Sequence, residues 1–268
     1  MDLGKRNNIH LLGKGKTLMV LAHGFGCDQS MWRLLTPTFQ ETHQLLLFDL
    51  VGSGGSDLTA YNRDKYQTLH GYASDLLEIV DAHAERPVVF VGHSVSAMIG
   101  LLASNIAPDR FAAQLMLGPS PCYIDDEGYR GGFTRADIED LLDTMDGNYL
   151  GWSSNMAPAI MGAPDQPELA AELTNSFCRT DPEIARHFAR VTFLSDQRAD
   201  LPLSRTPTLI MQCSDDLIAP MEVGDYMHRA MPHSQLVVIE NTGHCPHLSS
   251  PAASVAAMQR FLDGPGLT

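Results

Sequence analysis

The sequence lacks any run approaching the ~20 apolar residues that a membrane span needs. Its first eight residues, Met1 to Asn8, hold no apolar stretch of the signal-peptide kind, so a cytoplasmic location is the expectation. Cations are scarce, with 18 Lys and Arg against 32 Asp and Glu, a formal net charge of −14. That balance argues against nucleic acid, because phosphate binding needs clustered Lys and Arg. It argues equally against anionic membrane surfaces. Cysteine is limited to Cys27, Cys122, Cys178, Cys213 and Cys245, widely spaced and without a CxxC pair. Neither a zinc site nor a redox dithiol is expected, and reduced thiols fit best. HExxH and clustered-carboxylate motifs are also missing, so no metal and no cofactor are expected.

What is present is an alternation. Short apolar runs of β-forming residues occur at 17–22, 45–48, 88–91, 115–117, 208–211 and 236–239. Each has few charges and ends in Gly, Pro, Asp or Ser, as strands buried on both faces do. Helical spacing appears between them, in Tyr72, Leu76, Leu77, Ile79 and Val80, and again in Val255, Met258, Phe261 and Leu262. Strand–helix alternation predicts a mostly parallel sheet covered on both faces. The 44% hydrophobic content is ample for that core. Residues 119–195 break the rhythm with four helical patterns, at 134–145, 149–160, 167–177 and 181–194. Thr134 and Asp181 fit N-caps, and Pro182 suits a first helical position. The segment carries Tyr123, Phe133, Trp152, Met156 and Phe193, more apolar area than a small insertion needs for itself. It is therefore read as a four-helix lid on a core formed by 1–118 and 196–268, with extra packing helices as the plainer alternative.

The strongest chemical signal is Gly92-His93-Ser94-Val95-Ser96, which follows the β-forming run Val88–Val91 and precedes an apolar helix. A strand–GxSxG–helix arrangement is a nucleophile elbow, and here Ser96 occupies the last glycine position. Its sharp turn lifts the Ser94 hydroxyl clear of the sheet. The loop His23-Gly24-Phe25-Gly26 follows the first strong strand. In such folds that loop and the residue after the nucleophile supply the oxyanion amides, here Phe25 and Val95. An acid stands just past a late strand, Asp215 or Asp216, and Gly243-His244 follows the last. The order Ser, Asp, His is that of an α/β-hydrolase fold. Asp216 is preferred because it directly precedes Leu217-Ile218-Ala219-Pro220, where such enzymes usually keep the acid. Ser94, Asp216 and His244 are thus the candidate triad. His23 and His93 are read as orienting backbone, His247 as lining the pocket mouth, and Cys245 as a packed thiol. Gly52-Ser53-Gly54-Gly55-Ser56 lacks the Lys-Ser/Thr of a phosphate loop. Dehalogenase or epoxide-hydrolase chemistry would need Asp where Ser94 stands.

These residues carry a resemblance. His23–Ser30, Phe48–Gly54, Gly92–Gly100 and Gly243–His247 look like the RsbQ family of bacterial α/β hydrolases, and they also resemble the plant karrikin and strigolactone receptors. Ser96 and Leu248-Ser249-Ser250-Pro251 look like the plant branch. The resemblance implies a lid inserted after the sixth strand, over an apolar pocket lined by Phe25, Tyr123, Trp152, Met156, Phe193 and Ile218. It implies slow hydrolysis of small apolar esters or lactones through an acyl-enzyme. Alternatively it implies ligand sensing with slow, secondary hydrolysis, in which RsbQ-like proteins act on a PAS-domain phosphatase partner.

Overall fold

In a computed structural model, residues 2–264 are described. Seven strands form one sheet: β1 (His10–Leu12), β2 (Leu18–Ala22), β3 (Gln44–Phe48), β4 (Val88–His93), β5 (Phe111–Leu117), β6 (Thr208–Asp215) and β7 (Ser234–Thr242). Their order is β1-β3-β2-β4-β5-β6-β7. All neighbours are parallel except β1 against β3. The six apolar runs of the sequence are the six parallel strands. The helices in chain order are α1 (Leu3–Arg6), α2 (Thr36–Phe39), α3 (Leu69–His83), α4 (Val95–Ile106), α5 (Arg135–Gly147), α6 (Tyr149–Met161), α7 (Pro167–Arg179), α8 (Pro182–Phe193), α9 (Met221–Ala230), α10 (Pro246–Ser249) and α11 (Pro251–Leu262). Among the described residues none is long and apolar enough to cross a membrane.

Two expectations about strands need correction. β1 was not foreseen, because its three residues are all exposed at the sheet edge and show no buried pattern. β7 was read as buried on both faces, yet of the run 236–239 only Ile239 is buried. As the opposite edge strand, β7 has one neighbour and much of it faces out. The central strands β2 and β4 are buried at every position, as the uninterrupted apolar runs require.

The helical insertion α5–α8 follows the fifth strand in chain order, not the sixth. The N-terminal segment supplies a single short edge strand, so five strands precede it. Its caps follow the sequence signals. Thr134 and Asp137 form a reciprocal capping box, and the Asp181 side chain accepts from the amides of Glu183 and Ile184.

The sheet order reverses between β2 and β4, since β3 lies on one side of β2 and β4 on the other. In open α/β sheets this switch point is where loops diverge and leave a crevice at the strand ends. The loop after β2 and the turn after β4 both open there. Helix α4 must press close to β4 to begin the return crossover. A Cβ on Gly92 would sit 2.7 Å from the Ser96 carbonyl and 2.8 Å from the Ala97 nitrogen, both backbone atoms that cannot yield. Gly92→Ala is therefore expected to destabilise the fold by about 1–3 kcal/mol, read as a lowered urea midpoint. An unchanged midpoint would show that α4 can move away.

Candidate active site

Ser94 lies between the end of β4 and the first residue of α4. Its backbone takes φ 55°, ψ −123°, a region that side-chain-bearing residues rarely occupy. Such a conformation costs on the order of 1–3 kcal/mol and persists only where its surroundings hold it. Here the Ser94 amide donates to the Leu117 carbonyl at 2.8 Å, tying the turn to β5. The Ala97 amide donates to the Ser94 carbonyl at 2.9 Å, closing the first turn of α4.

The Ser94 hydroxyl donates to His244 Nε2 at 2.8 Å. His244 Nδ1 donates to Asp216 Oδ2 at 2.7 Å. Asp216 Oδ1 accepts from the amides of Ile218 at 2.8 Å and Ala219 at 3.2 Å. Burial alone would raise the Asp216 carboxyl. The adjacent His244 and the two amides outweigh it and hold the carboxyl below its ordinary range. Asp216 is thus a fixed anion that sets the imidazole tautomer, leaving Nε2 free to accept a proton. Asp215 is exposed at the end of β6 and contributes only its carbonyl, which accepts from the Gly243 amide at 2.7 Å.

The loop after β2 is held at three points. His23 Nδ1 donates to the Gly24 carbonyl at 2.8 Å, and its Nε2 accepts from the Leu50 amide at 3.1 Å. The Ser96 hydroxyl donates to the His23 carbonyl at 2.5 Å. The serine in the last elbow position therefore bridges α4 to the loop that carries Phe25, a link glycine could not make. Neither the Phe25 nor the Val95 amide donates to a protein acceptor among the described residues. Two free amides beside a nucleophilic hydroxyl can receive an oxyanion.

The cavity above Ser94 is lined by Phe25, Tyr123, Trp152, Met156, Phe193 and Ile218. Cys27, Leu141, Ile160, Leu173, Phe177, Thr192 and Cys245 line it as well, and the sequence did not single these out for that role. Most sit on helical faces whose periodicity is indistinguishable from ordinary core. Phe25 meets the inserted helices directly, with ring centroids 6.4 Å from Trp152, 5.9 Å from Phe177 and 5.9 Å from Phe193. Phe133 instead bridges to Ile124 and does not line the cavity. Burial pushes the Tyr123 phenol up to about 12, against a smaller opposing effect of Ser94, so it remains a donor. Burial likewise pushes the Cys245 thiol well up, which makes it a packed group. The space is about 30 Å³, room for about one or two waters. Among the described residues no cluster of three His, Cys, Asp or Glu is placed to hold a metal ion.

The inserted helices also touch the histidine loop. The His244 amide donates to the Ile160 carbonyl at the end of α6, 2.7 Å away. Gly162 and Gly243 pack backbone to backbone beside it, where a Cβ on Gly243 would lie 2.1 Å from the Met161 carbonyl.

His247 was expected at the pocket mouth. It is instead fully buried, packed between Trp32 at 4.8 Å and His93 at 4.5 Å. The short helix α10 turns the ring inward. Neither of its ring nitrogens has a hydrogen-bond partner among the described residues. His93 Nε2 donates to the His244 carbonyl at 2.9 Å, so His93 orients backbone. Burial, aided by neighbouring imidazoles, pushes His93 down to about 3 and His247 well below its ordinary value. The unfolded chain therefore takes up protons first as pH falls, and stability is lost from about pH 6.5 downward. Between pH 7 and 5 each imidazole is expected to cost about 2 kcal/mol. Urea unfolding at the two pH values should show this loss, and His247→Phe should reduce it by about half. The same pH dependence in wild type and variant would contradict the assignment.

Comparison with known proteins identifies the family and the fold. The model of the "Alpha/beta hydrolase family" matches residues 19–258. The chain is 37% identical over 256 residues to a strigolactone esterase of Arabidopsis thaliana, covering 95% of this chain and 96% of the relative. It is 35% identical over 257 residues to Karrikin insensitive 2 receptor CA of Petunia hybrida, covering 96% and 95%. Among solved structures it is similar to a hydrolase from Oleispira antarctica, with 44% identity, a TM-score of 0.95, and coverage of 98% of this chain and 97% of that one. The chain belongs to the α/β-hydrolase family.

Proposed function

We propose that the protein is a serine hydrolase of small apolar esters or lactones, with Ser94, His244 and Asp216 as its triad. The observation that carries this reading is the unbroken relay from the Ser94 hydroxyl through His244 to Asp216, at 2.8 and 2.7 Å. Ser94 Oγ attacks the carbonyl carbon and its proton passes to His244 Nε2. The tetrahedral oxyanion faces the Phe25 and Val95 amides. Collapse expels the alcohol, which takes the proton from His244. Water then repeats the sequence and frees the acid. An apolar cavity wall supports an apolar acyl or alkyl portion.

Residues 119–195 act in this reading as a four-helix lid. The cavity is narrow, about 30 Å³, and in this reading those helices give way to admit a substrate. A second reading, ligand sensing, draws on the bond between the His244 amide and the Ile160 carbonyl. It makes displacement of His244 during turnover a displacement of α6. A relative named as a receptor supports it too. Its partner would be the PAS-domain phosphatase that the sequence resemblance implies. Its test is ligand-dependent co-purification with such a phosphatase, and no complex with or without ligand would count against it.

Hydrolysis of p-nitrophenyl acetate tests the enzymatic reading. Ser94→Ala is expected to lower kcat by roughly 10³-fold or more, and equal rates would overturn it. Asp216→Asn should lower kcat by a comparable factor, whereas Asp215→Asn should leave it near wild type. Ser96→Ala should lower kcat by about tenfold, the value of one hydrogen bond holding the oxyanion loop. Full activity in that variant would mean His23 holds the loop unaided.

A further inference from the structure

Hydroxyl-bearing residues in the inserted helices mostly follow one habit, the half-buried Ser176 of α7 being one departure from it. A Ser or Thr inside a helix commonly satisfies its hydroxyl on the carbonyl one turn back. Thr144 does so on Asp140 at 2.7 Å, Ser153 on Tyr149 at 2.8 Å, Ser154 on Leu150 at 3.0 Å and Thr174 on Ala170 at 2.9 Å. Thr192, in the last turn of α8, does not. Its side-chain oxygen is buried and has no hydrogen-bond partner among the described residues, although the residue is only 1% exposed. Thr192 also lines the cavity above Ser94, next to Phe193.

Leaving a buried hydroxyl unpaired is unfavourable, and valine of the same shape would avoid the loss. Leu141, Trp152, Met156, Ile160 and Phe177 make most of the surrounding wall apolar, with the Tyr123 phenol and His93 lining it elsewhere. The polar groups at its floor, Ser94 and His244, are already paired with each other. An ester reacting at Ser94 therefore leaves the Thr192 hydroxyl as a separate hydrogen-bonding group on the α8 wall. We infer that Thr192 is a specificity-determining residue that selects substrates carrying a second oxygen in addition to the reacting ester or lactone group. The inferred substrate class is an oxygenated apolar ester or lactone, with an ether, carbonyl or hydroxyl oxygen on the portion that lies against α8. The hydroxyl can donate to an ether or carbonyl and can accept from an alcohol, so all three fit. A site with a polar group waiting for its partner discriminates strongly against analogues that lack the matching atom.

This inference rests on the hydrolase reading above, and the experiment separates the two. The probes are hexyl hexanoate and its ether isosteres, with one methylene at a time replaced by oxygen on either side of the ester. Their hydrolysis is followed by pH-stat titration in wild type, Thr192→Val and Thr192→Ser. For at least one isostere, wild type is expected to favour the oxygenated over the hydrocarbon ester about tenfold more than Thr192→Val does. The change should appear mainly in KM, and Thr192→Ser should retain the wild-type preference. Thr192→Val should also raise Tm, because it removes an unpaired buried group. An unchanged preference for every isostere overturns the inference even if all the esters are cleaved. The hydrolase reading itself is judged separately, by p-nitrophenyl acetate with Ser94→Ala, and if wild type cleaves none of these longer esters the role of Thr192 is read from binding. The same compounds then serve as ligands in thermal-shift titrations. The same wild-type-to-valine difference in apparent Kd upholds the role of Thr192, and its absence ends it.

Discussion

The backbone of Ser94 is the constraint on which the site depends. A residue with a side chain at φ 55°, ψ −123° is strained, and the strain is held from three sides. β5 fixes its amide through the Leu117 carbonyl, α4 begins at its carbonyl, and Gly92 lets α4 approach closely enough to do so. The same turn places Ser96 where its hydroxyl reaches the His23 carbonyl. Elbow and oxyanion loop are therefore one rigid assembly at the sheet's switch point. In the proposed reaction, donors held in this way need no rearrangement when charge develops.

The second half of the machinery comes from loops after β6 and β7 and is coupled to the inserted helices. Asp216 is held by amides of its own turn, while the His244 backbone is held by His93 on one side and by the end of α6 on the other. The close contact of Gly162 with Gly243 leaves no slack between α6 and the histidine loop. Any motion of α6 is thereby felt at His244. This coupling gives turnover and sensing a common physical route, so the two readings differ in which step is slow rather than in which residues act.

The sequence was informative where physical signals are local. Uninterrupted β-forming runs marked the six parallel strands, and Thr134 and Asp181 announced the starts of α5 and α8. The Gly-His-Ser-Val-Ser turn between a buried strand and an apolar helix marked Ser94, which the structure places in the strained turn against His244. It was uninformative where partners are distant. His10–Leu12 form the sheet edge, paired with β3 alone and exposed throughout, so nothing in their own pattern demands a strand. Phe177 and Leu173 repeat at helical spacing, which says they are buried but not that a cavity lies beneath them. His247 sits three residues from His244, and only the turn of α10 decides that its ring enters the core beside Trp32. The unpaired hydroxyl of Thr192 is the extreme case, since an absent hydrogen bond leaves no trace in sequence.

The central claim is that Ser94 forms a covalent acyl-enzyme with His244 as its base. Mass spectrometry of protein quenched during turnover of p-nitrophenyl acetate tests it most directly. One acetyl group is expected on the peptide carrying Ser94, and none in Ser94→Ala. An acetyl group on another residue with Ser94 unmodified, or the same adduct in Ser94→Ala, would contradict it.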